Sequence, residues 1–144
     1  MNELPQIAKE AARVRAVLEV SVHSFARKDR YSTGTDLRNR ARDVARITIL
    51  AWREKHRRLL RVRELSIAID GLKLDMQLAK DIAAFRSDDE FAMVGRLITD
   101  LGKRCGGWLK ELERESQNGQ GRKSPAQRAP ILSGRSASSL GANP

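Results

Sequence analysis

The chain holds one cysteine, Cys105, and two histidines, His23 and His56, in 144 residues. A lone thiol closes no internal disulfide, and one Cys with two His falls short of the usual structural zinc sets. Proline is nearly as scarce: Pro5, Pro125, Pro130 and Pro144 leave residues 6–124 free of the strongest helix breaker, which argues for an all-α core. No stretch approaches the roughly 18 consecutive apolar residues of a membrane span, and the first twenty residues mix Glu, Lys and Arg where a signal peptide would be apolar. The expectation is a cytoplasmic protein with no membrane partner. What the chain does have is positive charge. Lys and Arg number 28 against 18 Asp and Glu, a formal net charge of +10 with a pI near 10.6. Such a field favours a polyanionic partner without naming it.

Composition shifts near Ser116. From there to Pro144 the chain is rich in Ser, Gly, Ala, Gln and Pro and carries Arg122, Lys123, Arg128 and Arg135 with no acid. We read residues 116–144 as a disordered basic tail and residues 1–115 as the folded part. Apolar spacing there predicts four helices. The first spans about Pro5 to Arg27, with Ile7, Ala11, Val14, Leu18, Val22 and Phe25 on one stripe. A turn from Asp29 to Gly34 leads to the second, capped by Thr35 or Asp36, with Leu37, Ala41, Val44, Thr48 and Ala51 inward. The third runs from about Leu60 to Phe85 on Leu65, Ile69, Leu72, Met76, Ala79 and Ala83; between it and the second, His56 to Arg63 contains neither Gly nor Pro. The fourth starts at Ser87, with Glu90 completing a capping box, and carries Phe91, Val94, Ile98, Leu101, Cys105, Trp108 and Leu112. Short connections make neighbouring helices antiparallel, so the fold expected is an up-down-up-down four-helix bundle.

The densest charge lies on the second helix and the junction after it. At about 100° per residue, Arg38, Arg42, Arg46, Arg53 and Arg57 fall within roughly 100° of one another, away from the apolar stripe. Arg58 and Arg61 extend the cluster. Between Arg38 and Arg63 only Asp43 and Glu54 interleave acids, whereas a merely solvated helix face normally alternates signs at i,i+4. The planar guanidinium fork matches phosphate, so these seven arginines are the candidate nucleic-acid contacts.

Helix 4 carries Gly102-Lys103-Arg104-Cys105-Gly106-Gly107-Trp108. Three glycines in six helical positions cost on the order of 2 to 3 kcal/mol relative to alanine. Gly95, Thr99, Gly102 and Gly106 align as a small-residue seam that would let another backbone approach, within the bundle or from a second subunit; a helix break at Gly106-Gly107 is the alternative. Gly102, Gly106, Gly107 and Trp108 are therefore candidate packing or oligomer positions. A phosphate loop is excluded by spacing and the lack of a preceding strand. Trp52, at the apolar edge of helix 2, suits packing against another subunit or base stacking. Asp70, Asp75 and Asp81 scatter around helix 3 among Lys73 and Lys80, and neither histidine has a neighbouring ligand. No catalytic residue, metal site or cofactor is expected, and Cys105 reads as a small buried apolar group.

Three segments, Phe25-Ala26-Arg27-Lys28-Asp29-Arg30-Tyr31 followed by Gly34, Leu72 to Ile82, and Leu101-Gly102-Lys103-Arg104-Cys105-Gly106-Gly107-Trp108-Leu109-Lys110, come in a familiar order. Over about residues 20 to 112 the chain resembles an accessory variability determinant (Avd) of diversity-generating retroelements, within the four-helix-bundle family that includes proteins encoded in 23S ribosomal RNA intervening sequences. The resemblance implies a non-enzymatic, basic, ring-shaped homopentamer that binds the retroelement's reverse transcriptase and its template-repeat RNA to support mutagenic cDNA synthesis. By match to the motifs, Arg30 and Tyr31 would lie at the helix 1 to 2 corner and Gly102, Gly106, Gly107 and Trp108 in helix 4. The family's proline in that corner is absent here, and the tail after Ser116 is longer. Two other classes stay open: a DNA-binding or relaxosome-type accessory protein, though a helix-turn-helix would need a shorter recognition helix, and a purely structural oligomer.

Overall fold

The structure, a computed structural model, describes residues 4–121, and all of their regular structure is helical. The chain divides into two compact units, Met1–Leu112 and Glu113–Pro144. In the first unit the elements follow as α1 (Gln6–His23), the single turn α2 (Arg27–Arg30), α3 (Thr33–Arg53), a 3-10 turn at Lys55–Arg57, α4 (Arg58–Asp81) and the start of α5 (Asp88–Gly121).

The inward stripes of all four long helices meet in one apolar core. Val14, Leu18 and Val22 of α1, Leu37 and Val44 of α3, Leu65, Ile69 and Leu72 of α4, and Val94, Ile98 and Leu101 of α5 are at most 1% exposed. Partner residues descend along one helix as they ascend along its neighbour. Glu19 and Val22 meet Arg38 and Gly34 across α1 and α3, and Arg40 and Ala51 meet Asp75 and Arg58 across α3 and α4. Lys80 and Val62 meet Phe91 and Cys105 across α4 and α5, while Arg104 of α5 reaches Glu10 of α1 at 2.8 Å.

Helix ends depart from the expected positions for identifiable reasons. α1 stops at His23, not Arg27, because Phe25 leaves the helical path and turns into the core, where its ring meets Phe85 edge-on at 5.1 Å; Phe85 in turn meets Phe91 at 5.5 Å. Gly34 is not in the turn but in the first turn of α3. A β-carbon there would lie 2.5 Å from Val22 Cγ1 and 3.3 Å from the Asp29 carbonyl oxygen, so the close approach of α1 and α3 requires glycine. Neither Thr35 nor Asp36 caps α3. Ser32 holds the N-cap position, but its hydroxyl donates back to the Lys28 carbonyl at 2.9 Å.

α4 ends at Asp81, and Ala83 is not on the core stripe. It is exposed in the left-handed region at φ 56°, closing a Schellman cap in which Ala84 N–H donates to Ala79 O and Ala83 N–H to Lys80 O, both at 2.9 Å. Ala84 is the buried residue instead. At the other end α5 is unbroken through Gly106-Gly107 and continues to Gly121, so residues 116–121, read from composition as the start of the tail, are helical. The rest of that tail, with Arg122, Lys123, Arg128 and Arg135, lies outside the described residues. Among the described residues no helix is long and apolar enough to cross a membrane.

Candidate nucleic-acid interface

α3 turns its buried face, Leu37, Ala41, Val44, Thr48 and Ala51, toward α1 and α4. Its solvent side carries Arg38, Arg42, Arg46 and Arg53, but Arg57 does not continue that helical ridge, because α3 ends at Arg53 and Arg57 lies on the 3-10 turn beyond it; the structure sorts the seven candidates into three groups. Arg42, Arg53 and Arg57 are exposed and have no ion pair or hydrogen bond with any described residue. Arg38 and Arg46 are loosely paired: Arg38 Nε lies 3.8 Å from Glu19 and Arg46 Nε 3.9 Å from Asp43, the latter pair more than half exposed. Such pairs contribute little and yield readily to a competing anion.

Arg58 and Arg61 do not belong to the ridge. Arg58 donates from Nε to the Ala51 carbonyl at 2.8 Å and from a terminal nitrogen to the Trp52 carbonyl at 2.6 Å, satisfying the last carbonyls of α3. Arg61 pairs with Glu54 at 3.0 Å and Glu64 at 2.9 Å, and these hydrogen bonds, Glu54 first, raise its pKa above the ordinary arginine value. The two guanidiniums tie α3 to α4 across a junction that has neither Gly nor Pro, which answers why the sequence shows no breaker there. Lys55, on the intervening 3-10 turn, takes their place as an exposed cation beside Arg53 and Arg57, with no partner among the described residues.

Arg40 points off the ridge. Its Nε bonds Asp75 Oδ2 at 3.1 Å over Gly71, where a β-carbon would sit 3.0 Å from the guanidinium carbon. Asp75, with Asp36, Asn39 and Asp43, lines the polar cleft of about 420 Å³ beside it. Asp81 accepts from Gln77 at 3.0 Å. Among the described residues no group of three His, Cys, Asp or Glu side chains could hold a metal ion.

Among the described residues the glycine seam of α5 makes no close backbone contact. At Gly95, Gly106 and Gly107 a β-carbon would meet nothing within 4 Å, and at Gly102 it would meet side chains only, Lys73 Nζ at 3.1 Å and Ile69 Cγ2 at 3.6 Å. Trp108 is half-buried over the start of α1, lining a cleft of about 300 Å³ with Pro5, Gln6, Ile7 and Arg104. At the helix 1 to 2 corner Tyr31 is exposed, while Arg30 turns inward and donates to the Phe25 carbonyl at 3.3 Å.

One surface escaped the reading by periodicity. Leu60, Ile67, Leu74 and Leu78 of α4 and Ile82, which follows its last residue, are each at least half exposed, and at about 100° per residue they share one outward face, away from the buried stripe of α4. Their spacing of seven, seven, four and four is visible in the sequence. α4 is thus apolar on two faces, and among the described residues only one of them is covered.

No protein-family model matches the chain, and no curated protein or solved structure matches it either.

Proposed function

We propose that this chain is a non-enzymatic, nucleic-acid-binding accessory subunit, an up-down-up-down four-helix bundle that serves a diversity-generating retroelement by holding its template RNA beside its reverse transcriptase. The observation that carries the reading is the set of Arg42 and Arg53 on the outer side of α3 and Arg57 on the 3-10 turn after it, all exposed and without a partner among the described residues. Unpaired guanidiniums on a rigid helix keep their full charge for phosphate and lose no internal bond on binding. The resemblance over residues 20 to 112 supplies the enzyme partner and the RNA. Self-association, as a pentameric ring in that family, is supported by the uncovered apolar face of α4, since a monomer rarely leaves such a stripe to water.

Reconstitution tests the whole reading. A reverse transcriptase of this class, its template-repeat RNA and the chain should together yield cDNA, whereas omission of the chain, or its replacement by an Arg42→Gln, Arg53→Gln, Arg57→Gln variant, should abolish or sharply reduce the product. Equal cDNA with and without the chain would exclude the accessory role. The apolar face of α4 by itself also fits a purely structural oligomer, which would assemble normally yet bind no RNA.

A further inference from the structure

The glycine-glycine-tryptophan run of α5 ends on Trp108, whose half-buried indole belongs neither wholly to the core nor to the open surface. It lines the cleft of about 300 Å³ between α1 and α5, where Pro5 and Ile7 supply the rest of the apolar lining and Gln6 and Arg104 the polar groups. The indole N–H makes no hydrogen bond with any described residue. One carboxylate fixes both polar groups: Glu10 accepts from Gln6 Nε2 at 3.3 Å and from Arg104 Nε at 2.8 Å. Arg104 uses only Nε in this way, so the two terminal nitrogens of its fork have no partner among the described residues.

Contacts between the helices put this cleft at the same end of the helices as Arg53, Lys55 and Arg57. Arg104 is level with Glu10, so Trp108, one turn further along α5, is level with the start of α1. Cys105 is level with Val62, one turn from Arg58, which bonds the last carbonyls of α3. Arg53, Lys55 and Arg57 lie at that junction of α3 and α4. Packed neighbouring helices are about 8 to 10 Å apart, so a single strand of a few nucleotides lying on those cations is long enough to reach the cleft.

We propose that the cleft takes one unstacked base of the bound RNA strand, laid on the Trp108 indole, with an adjoining phosphate on the free fork of Arg104. The inference rests on the RNA reading and adds to it a site that the arginines of α3 do not include. A nucleotide brings what the cleft presents a partner for: a flat π-face for the indole and acceptor oxygens for a guanidinium already held in orientation. The net charge of +10 attracts the strand that carries the base, whereas an aromatic side chain of a protein partner gains nothing from it. A duplex does not fit this chemistry, because its paired bases stack on one another and offer edges instead of faces. The cleft therefore selects single-stranded segments, and tolerates any base, since every base has a π-face.

The chain has two tryptophans, so the indole N–H signal of Trp108 can be followed directly in isotope-labelled full-length protein, assigned with Trp52→Phe or Trp108→Phe, whichever folds. The protein is titrated with a single-stranded oligoadenylate, with adenosine 5′-monophosphate, and with ribose 5-phosphate, which lacks the base. Trp108 should shift saturably with the first two and not with the third. Trp108→Ala should weaken the oligonucleotide by about five- to a hundredfold, as loss of one base–aromatic stack implies, and leave the slope of log K against log salt unchanged, because an indole holds no phosphate. Arg104→Gln should make that slope shallower by about 0.7. A silent Trp108 signal while RNA still binds through the α3 arginines would overturn this inference and leave the RNA reading standing, whereas a chain that binds no RNA would overturn both. An equal shift with ribose 5-phosphate would assign the cleft to phosphate alone, and tighter binding of N-acetyl-phenylalanine amide than of adenosine 5′-monophosphate would assign it to a protein side chain; either result overturns the base site.

Discussion

At the scale of single residues, the environment decides what a side chain can do, and Cys105 shows it plainly. It is 1% exposed, and its thiol is pushed from 9.0 up to about 11, first by burial and then by the negative charge of Asp70. The thiol donates weakly to the Val62 carbonyl at 3.8 Å and stays protonated at neutral pH, so it is no nucleophile. Because the folded pKa lies above the unfolded one, this stabilisation is complete below pH 9 and falls away toward pH 11 as the unfolded chain gives up its proton first, by up to about 2 to 3 kcal/mol. Denaturant titrations at pH 8 and pH 10.5 should therefore show a larger loss for wild type than for Cys105→Ala. Ala83 makes the opposite kind of statement. It adopts φ 56° at a position where glycine is the unstrained residue. Ala83→Gly should raise stability by about 0.5 to 1 kcal/mol, read as an upward shift in Tm; a fall would mean that the strain is absent. The sequence showed an alanine on a plausible repeat there, and nothing in the spacing distinguishes a sixth inward residue from a C-terminal cap.

At the scale of the element, α4 and α5 carry surface that no other described residue covers, and the two features predict different outcomes. Gly106 and Gly107 lie within a continuous helix with open space where a β-carbon would go. Replacing each by alanine should add about 0.8 to 1 kcal/mol through helix propensity alone. Thermal melts of the single variants check this, and destabilisation would show that a neighbouring molecule packs there after all. On α4, Ile67→Glu with Leu74→Glu places two charges on the outward apolar face without touching the core. In size-exclusion chromatography with light scattering, the variant should fall to monomer mass while its helical circular dichroism is retained; an unchanged mass would remove this face from any interface. Periodicity revealed the four helices because their inward residues repeat at 3.6. It missed the outward stripe of α4 because a helix apolar on two sides has no single face for the pattern to mark.

For the whole molecule, charge is the property most legible in the sequence and least legible in its arrangement. The net +10 and the arginine-rich α3 were plain from the residues. Which arginines remain available was not, because Arg58 and Arg61 bond groups seven residues away, and those partners adjoin only once α3 and α4 fold against each other. The capping box at the start of α5 was legible in part: the Glu90 N–H donates to Ser87 Oγ at 3.1 Å as the spacing implies, whereas the Glu90 carboxylate is buried and lies 3.7 Å from Arg86. What the fold leaves is a short basic strip, Arg42, Arg53, Arg57 and Lys55, on the outer side of the molecule, flanked by the loosely paired Arg38 and Arg46.

The availability of that strip to phosphate is measured most directly by the salt dependence of RNA binding. Affinity for a single-stranded RNA is determined across a salt series for the wild type and for the Arg42→Gln, Arg53→Gln, Arg57→Gln variant, with circular dichroism confirming that both are folded. Each phosphate contact on a single strand contributes about 0.7 to the slope of log K against log salt concentration. If all three arginines contact phosphate, the variant should bind more weakly at low salt with a slope shallower by about 2; an unchanged slope and affinity would contradict the assignment of α3 as the nucleic-acid interface.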